Sequence, residues 1–175
     1  DSPEAEEVVR LCCVIKPLVT WLGERIGTIG RERCGGQGYL AVNRLGSFIG
    51  FSHAGMTAEG DNAVLMQKVA KELLAGLESG RRPIRMIAKK NFEKVNWTSP
   101  IDLMNLFVYR ETTQLVKLGG KMKTGMKGGK DVFQIWMKEE SDLIQSVARS
   151  YGESICLQQF LKSVQALKAG KTQDI

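Results

Sequence analysis

Apolar residues recur at helical spacing over the first thirty residues, and this pattern constrains the fold more than any other feature. They follow the i, i+3, i+4, i+7 spacing, at residues 8, 11, 12, 15, 18, 19, 22, 26 and 29. Residues spaced in this way share one face of an α-helix, so the pattern predicts an amphipathic helix of about five turns. Ser2 and Pro3 form a suitable helix start, and we expect Pro17 to bend the helix or open it locally.

Glycines predict where the helices end. Three of the four residues 35–38 are glycine, and they should stop the first helix because glycine is entropically costly in a helix and permits positive φ. The stretch 39–56 has no sustained period and predicts a connection. Thr57 is predicted to open a second helix that ends before Gly80.

The second half of the chain also has helical character. Pro100 begins a predicted third helix that Gly119 and Gly120 should stop, and the lysines and glycines of residues 117–130 predict a flexible junction. A final helical stretch is predicted over 133–167, with Gly152 as a candidate break. No stretch alternates long enough to predict a strand, so the predicted fold class is all-α.

Composition excludes several classes of protein. At 175 residues, with 43% hydrophobic and 25% charged residues, the chain should fold, and it has no apolar run of the roughly 20 residues that cross a bilayer. Four cysteines without a Cys-x-x-Cys pair suggest neither a disulfide framework nor a zinc site, and we expect no metal. The net charge of +6 is compatible with an anionic partner, but the lysine-rich segment lacks the interleaved aromatic residues of a nucleic-acid groove.

Three short patterns fail the test of structural context. Residues 36–41 match Gly-x-Gly-x-x-Ala, but a dinucleotide fingerprint follows a strand and opens a helix, whereas here a helix precedes the glycines. No phosphate-binding loop is completed among the glycines after Gly119. His53 is the only histidine and has no serine motif to serve, so a catalytic triad is disfavoured.

The segment Met-Thr-Ala-Glu-Gly-Asp-Asn-Ala-Val at 56–64 carries the most information about function. One interpretation is a helix start, with Thr57 as the cap and Glu59 and Asp61 as acidic residues of the first turn. That interpretation leaves Gly60 unexplained, because glycine weakens a first turn. The alternative is that Gly60 lets another molecule approach Glu59, which could act as a base in an apolar slot.

Taken in order, the glycine turn and this segment resemble the acyl-CoA oxidases, within the acyl-CoA dehydrogenase superfamily. The family patterns are Cys-Gly-Gly-His-Gly-Tyr, matched at 34–39, and Thr-[Tyr/Phe]-Glu-Gly-[Asp/Glu]-Asn-x-Val, matched at 57–64. Two positions differ from these patterns: Gln37 replaces the histidine, and Ala58 replaces the aromatic residue. These changes retain hydrogen bonding at the first position and enlarge the space at the second.

The resemblance implies a flavoenzyme with named site residues. Glu59 would be the catalytic base that removes the α-proton of an acyl-CoA thioester, while the β-hydrogen leaves as a hydride to FAD. Oxygen would then reoxidise the flavin, giving trans-2-enoyl-CoA and hydrogen peroxide. Gly35 and Gly36 would contact the FAD of a neighbouring subunit, and Asp61 and Asn62 would line the flavin site.

The resemblance also implies that the chain is a piece of a longer enzyme. The family has an N-terminal helical domain and a β-barrel domain before this region, so we expect an incomplete helical bundle of the C-terminal type. Residues 1–80 would end the first C-terminal helical domain, 81–99 would be a linker, and 100–175 would form a truncated second domain. Its partners would be acyl-CoA, the remaining domains or chains, and a second copy in a homodimer or larger oligomer.

Location and activity follow from the same resemblance. The family implies a peroxisomal enzyme of fatty acid β-oxidation, with a mitochondrial location as the alternative, and residues 173–175 are not a peroxisomal tripeptide of the Ser-Lys-Leu type. The alternative function is a non-catalytic helical scaffold derived from the family, for which Gln37 and Ala58 would be signs of relaxed constraint.

Overall fold

The computed structural model describes residues 2–80 and 95–168, and every regular element in these two ranges is helical. The prediction of an all-α fold is therefore confirmed. The helices, in chain order, are α1 (Pro3–Arg33), α2 (Gly35–Tyr39), a 3₁₀ turn (Ala41–Asn43), α3 (Leu45–Thr57), α4 (Asn62–Glu78), α5 (Pro100–Lys127), a π-helical segment (Gln134–Glu139) and α6 (Ser141–Lys168).

The chain divides into two compact units, residues 1–69 and residues 70–175, and the boundary falls within α4. The domain boundaries that the resemblance implies, at residues 80 and 99, remain predictions. The predicted linker lies mostly outside the described residues.

In the first unit, α1 packs against α3, and glycines on both helices allow close approach. A Cβ added to Gly27 of α1 would lie 2.8 Å from Cδ1 of Phe48, and one added to Gly55 of α3 would lie 3.1 Å from Cγ2 of Thr20. The earlier α1 residue, Thr20, contacts the later α3 residue, Gly55, and the later α1 residue, Gly27, contacts Phe48, so the two helices are antiparallel. Val14 and Pro17 of α1 are buried, and the helix continues across Pro17.

The apolar stripe that predicted α1 does not face the core of this chain. Six of its residues, each 42% to 59% exposed, form what we term the α1 apolar face: Val8, Ile15, Val19, Leu22, Ile26 and Ile29. A stripe of this kind ordinarily packs on another element. The helix is predicted correctly, and the α1 apolar face is left uncovered by the described residues.

The helix boundaries around the second motif differ from the predicted ones. The segment predicted as a connection, 39–56, contains the 3₁₀ turn and most of α3. Thr57 ends α3 instead of opening the next helix. Asp61 precedes α4, and its Oδ1 accepts hydrogen bonds from the backbone N–H groups of Ala63 at 2.9 Å and Val64 at 3.2 Å. The cap of α4 is therefore Asp61.

In the second unit, α5 and α6 pack together around a buried apolar core. Helix α5 runs through Gly119 and Gly120, so the predicted stop and the flexible junction after it are wrong. Gly119 is buried, and a Cβ added to it would lie 3.4 Å from Cδ1 of Leu74, at ordinary van der Waals distance. Helix α6 likewise continues through Gly152.

Two ion pairs stabilise the end of the π-helical segment, one at its last residue, Glu139, and one at the next residue, Glu140. Lys121 of α5 bonds Glu140 at 2.8 Å, and Lys130 bonds Glu139 at 2.8 Å. The hydrogen bond from Lys130 is the main cause of the lowered pKa of Glu139, and the hydrogen bond to Glu140 is the main cause of the raised pKa of Lys121. Two of the basic residues of this region therefore stabilise local structure.

Candidate functional site

The segment between α3 and α4 holds two consecutive residues in the left-handed region of backbone space. Glu59 has φ +58° and Gly60 has φ +101°. The second value suits only glycine, and an added Cβ would also lie 3.2 Å from Cδ2 of Leu65. A non-glycine residue at positive φ is uncommon, and such strain often occurs at functional positions. The turn therefore presents the exposed Glu59 side chain from a constrained backbone.

Asp61 and Asn62 follow the turn and both make hydrogen bonds within the chain. Asp61 caps α4, as described above. Asn62 is only 2% exposed, and its Nδ2 donates to Oγ1 of Thr20 at 2.9 Å. The Asn62 side chain thus connects the start of α4 to α1.

Lys16 of α1 reaches the same turn and makes three hydrogen bonds. Its Nζ donates to the carbonyl oxygen of Met56 at 3.2 Å, to that of Gly60 at 2.5 Å and to Oδ1 of Asn62 at 2.8 Å. A lysine ammonium has three protons, so these acceptors can use all of them. Lys16 therefore joins the turn that carries Glu59 to α1, beside the hydrogen bond from Asn62 to Thr20.

The first motif forms the short helix α2. Gly35 has φ +57°, and no heavy atom of the described chain lies within 4 Å of a Cβ added to Gly35 or Gly36. Gly38 is different: an added Cβ would overlap the carbonyl oxygen of Arg31. Packing against Arg31 therefore requires glycine at position 38, and the positive φ favours glycine at position 35. No described contact requires glycine at position 36.

The two motifs lie at opposite ends of α3. Helix α2 precedes α3 and packs on Arg31, near the end of α1, whereas Glu59 follows the end of α3. Thirteen residues at 1.5 Å each make α3 about 20 Å long. The fold therefore places Gly35 and Gly36 far from Glu59 within the first unit, as expected if the two motifs serve different parts of a large ligand or two separate ligands.

Other candidate residues lie away from this turn or are exposed. His53 is exposed on α3, with Nε2 4.0 Å from Oε1 of Glu24. Cys12, Cys34 and Cys156 are exposed, and all four cysteines are free thiols. Over residues 2–80 and 95–168, no group of three or more potential metal ligands comes together. In the same ranges, no helix is both long and apolar enough to cross a membrane.

Sequence reasoning did not select Lys16 or Thr20. Lys16 bonds residues that lie 40 to 46 positions further along the chain. In the sequence it is one of three basic residues within the apolar pattern of α1, together with Arg10 and Arg25, and it stands directly before Pro17. This position is also compatible with a solvated lysine, so the contact required the structure.

Comparison with known proteins shows that this chain is similar to the acyl-CoA oxidases. The acyl-CoA oxidase C-alpha1 domain family matches residues 1–74. Acyl-coenzyme A oxidase acox-3 of Caenorhabditis elegans is 26% identical over 176 residues, covering 94% of this chain and 26% of the relative. Human peroxisomal acyl-coenzyme A oxidase 3 is 41% identical over 68 residues, covering 39% of this chain and 10% of that protein.

Solved structures share the fold over nearly the whole chain. Acyl-CoA oxidase-2 of Caenorhabditis elegans, determined with FAD, ascaroside-CoA and ATP, has a TM-score of 0.81 at 18% identity, covering 94% of this chain and 26% of that one. Acyl-CoA oxidase 1 of Arabidopsis thaliana has a TM-score of 0.79 at 19% identity, covering 94% of this chain and 27% of that one. The chain spans about a quarter of the length of the relatives it matches along most of its own length.

Residues 1–74 thus match the C-alpha1 domain of the acyl-CoA oxidases, an oxidoreductase family, and the chain resembles the C-terminal helical portion of these proteins along most of its length. The resemblance predicted from the two motifs is confirmed, and so is the helical architecture expected from it.

Proposed function

We propose that this chain forms part of an FAD-dependent acyl-CoA oxidase that converts acyl-CoA and oxygen to trans-2-enoyl-CoA and hydrogen peroxide. The observation that carries the proposal is the Glu59–Gly60 turn, where a carboxylate is exposed on a backbone held at positive φ. The match to the C-alpha1 domain family supports this assignment because the turn lies within the matched residues 1–74.

Glu59 is the proposed catalytic base. Its carboxylate would take the proton from the α-carbon of the thioester, the acidic position next to the carbonyl. Efficient proton transfer requires the base within hydrogen-bond reach of that proton. The carboxylate is exposed in this chain, so bound substrate and the remaining domains would have to exclude water from it. Ala58, the exposed neighbour of Glu59, leaves room for such a contact.

Gly35 and Gly36 are the proposed contacts to FAD. The open space beside both glycines fits a backbone surface that a phosphate or adenosine group can approach closely. Bound FAD would supply the acceptor for the hydride from the β-carbon. Asp61 and Asn62 remain proposed flavin contacts, although the hydrogen bonds described above already use Oδ1 of Asp61 and both polar atoms of the Asn62 side chain.

The remaining domains of the enzyme are the proposed partners. The α1 apolar face supports this because an apolar surface of six residues at helical spacing is typical of an interface or a core. Gly23 and Gly30 beside it have no described atom within 4 Å of an added Cβ, which would let a further helix approach closely. We propose assembly with these domains in a homodimer or larger oligomer.

The proposed domain assignment follows the family. Residues 1–80 would end the first C-terminal helical domain, and residues 100–175 would belong to the second. We propose a peroxisomal location and a role in fatty acid β-oxidation, in line with the peroxisomal relatives from human and Arabidopsis thaliana.

The proposal is tested by substituting Glu59→Gln in the assembled flavoprotein. Glutamine keeps the shape of the side chain but cannot accept the α-proton as a base, so formation of enoyl-CoA should fall by about 10²- to 10⁴-fold. The matched control is Glu78→Gln, which removes another exposed carboxylate at the end of α4. Both variants should bind flavin as the unmodified enzyme does.

Two outcomes would count against this function. Unchanged oxidation of acyl-CoA after Glu59→Gln would exclude the residue as the base. Absence of bound flavin from the native assembly would favour the alternative of a helical scaffold. The flavin content of the native complex should therefore be measured before the kinetics.

A further inference from the structure

We propose that Lys16 is a positioning residue for Glu59, and this inference rests on the proposed function. Lys16 does not need to touch the substrate. It acts through the backbone of the turn, because its ammonium binds carbonyl groups on both sides of Glu59: Met56, three residues before it, and Gly60, directly after it.

The turn needs such support because its backbone is strained. A residue other than glycine in the left-handed conformation costs roughly 1 kcal/mol or more relative to its preferred regions. An unsupported turn would relax by rotating the Glu59 backbone and moving the carboxylate. The hydrogen bonds from Lys16 to the carbonyl oxygens of Met56 and Gly60 hold the backbone before and after Glu59, and so oppose this rotation.

Lys16 is also well placed electrostatically. The carbonyl of Met56 lies in the last turn of α3, where the helix dipole places partial negative charge. Three acceptors in three directions fix the position of the ammonium, whereas a lysine in solvent samples many rotamers. The half-buried position of Lys16 reduces the competition from water for these bonds.

Asn62 and Thr20 complete a closed set of hydrogen bonds between α1 and the turn. Asn62 accepts from Lys16 and donates to Thr20, and the Thr20 hydroxyl donates to the carbonyl oxygen of Lys16 at 2.9 Å. Because Asn62 is buried, removing either partner would leave one of its polar atoms unsatisfied. The start of α4 and the Glu59 turn are thus both hydrogen-bonded to α1, through Lys16 and Thr20.

The test uses Lys16→Met, which keeps much of the length of the side chain and removes all three donors. In the assembled flavoprotein, kcat per bound flavin should fall about 10- to 100-fold, the effect of a displaced catalytic group, while KM for acyl-CoA changes little. The kinetic isotope effect with substrate deuterated at the α-carbon should rise, because proton removal would become more fully rate-limiting. Lys16→Arg, which restores donors on a longer side chain, should recover part of kcat.

Hydrogen exchange supplies a readout that does not depend on activity. In the 175-residue chain, the backbone amides of residues 58–62 should exchange faster after Lys16→Met. The matched control is Lys123→Met, which removes an exposed lysine from α5 and should alter neither exchange in the turn nor kcat. Thr20→Val replaces the hydroxyl that bonds Asn62 with a methyl group, and it should raise exchange in the turn and lower kcat less than Lys16→Met does. This variant is the substitute test if Lys16→Met does not fold.

The outcomes separate this inference from the proposed function. An inactive Glu59→Gln variant beside a Lys16→Met variant with unchanged kcat, isotope effect and exchange would overturn only the role of Lys16. If Lys16→Met does not fold, unchanged kcat and exchange in Thr20→Val would overturn it. Full activity of Glu59→Gln would overturn the proposed function and, with it, the role of Lys16 in catalysis.

Discussion

Gly36 and Gly38 lie two residues apart in α2, and the structure gives them different roles. Gly38 packs on the carbonyl oxygen of Arg31, and no side chain fits there. Gly36 has open space beside it and no positive φ. A residue that the packing of its own chain does not require is a candidate for contact with another molecule.

This difference predicts opposite effects of two alanine substitutions. Gly38→Ala should destabilise the chain by about 3 kcal/mol, because backbone atoms of α1 and α2 must separate. Gly36→Ala should leave stability unchanged or raise it by up to about 1 kcal/mol, because alanine favours helix. Denaturant unfolding of the 175-residue chain measures both.

The same pair tests the proposed cofactor contact. In the assembled enzyme, Gly36→Ala should weaken FAD binding although folding is retained, and flavin titration would measure this. Flavin affinity equal to that of the unmodified enzyme would remove Gly36 from the site.

The residues of the candidate site were predictable from the sequence to different degrees. The order of residues in the second motif selected Glu59 and Gly60, and the turn they form has the backbone that only glycine tolerates at position 60. Lys16 was not predictable, because its partners are 40 to 46 residues away and only the packing of α1 on α3 brings them together.

At the scale of elements, helix α4 shows how a local error arises. Threonine is a good capping residue, so the sequence predicted that Thr57 caps α4 and that Asp61 lies in its first turn. The positive φ values of Glu59 and Gly60 exclude this, since a helix cannot pass through them. Asp61 is therefore the first available cap.

Substitution of Asp61 can separate capping from a role in flavin binding. Asp61→Ala should destabilise the chain by about 1 kcal/mol, because the N–H groups of Ala63 and Val64 lose their acceptor. Asp61→Asn should retain most of the stability, since asparagine caps equally well. Thermal unfolding and flavin titration of the two variants are the measurements. Normal stability with weaker flavin binding in Asp61→Asn would indicate a direct role at the cofactor.

The predicted end of α5 was wrong for a tertiary reason. Gly119 and Gly120 were predicted to stop the helix, but α5 continues through both of them. Gly125, in the predicted junction, is a helical residue that leaves room for the side chain of Ile135. Periodicity identified which segments are helical because it depends on the segment alone. It could not identify where α5 ends, because that depends on residues elsewhere in the chain.

At the scale of the whole molecule, the α1 apolar face is the main feature that the chain leaves unexplained. The spacing of apolar residues predicted helix α1 correctly, but it gave no information on what covers the α1 apolar face. The chain covers about a quarter of the relatives' length, and we have proposed that further domains cover this face.

Polar substitutions on this face should therefore affect assembly more than folding. Leu22→Gln with Ile26→Gln should change the unfolding free energy of the 175-residue chain by no more than about 1 kcal/mol, as is usual at exposed positions. Binding to the remaining domains should weaken at least about tenfold, because each buried aliphatic side chain contributes about 1.5–3 kcal/mol. Co-purification and titration measure the binding. Val116→Gln, an exposed valine of α5, is the control, and assembly of the double variant at wild-type affinity would exclude this face from the interface.

The central claim is that Glu59 removes a proton from acyl-CoA in a flavoprotein of which this chain is a part. The most direct measurement is the rate at which acyl-CoA bleaches the visible flavin absorbance of the assembled enzyme without oxygen, with and without Glu59→Gln. We expect rapid bleaching in the unmodified enzyme and a rate about 10³-fold lower in the variant at equal flavin content. Bleaching of the variant at the unmodified rate would contradict the claim.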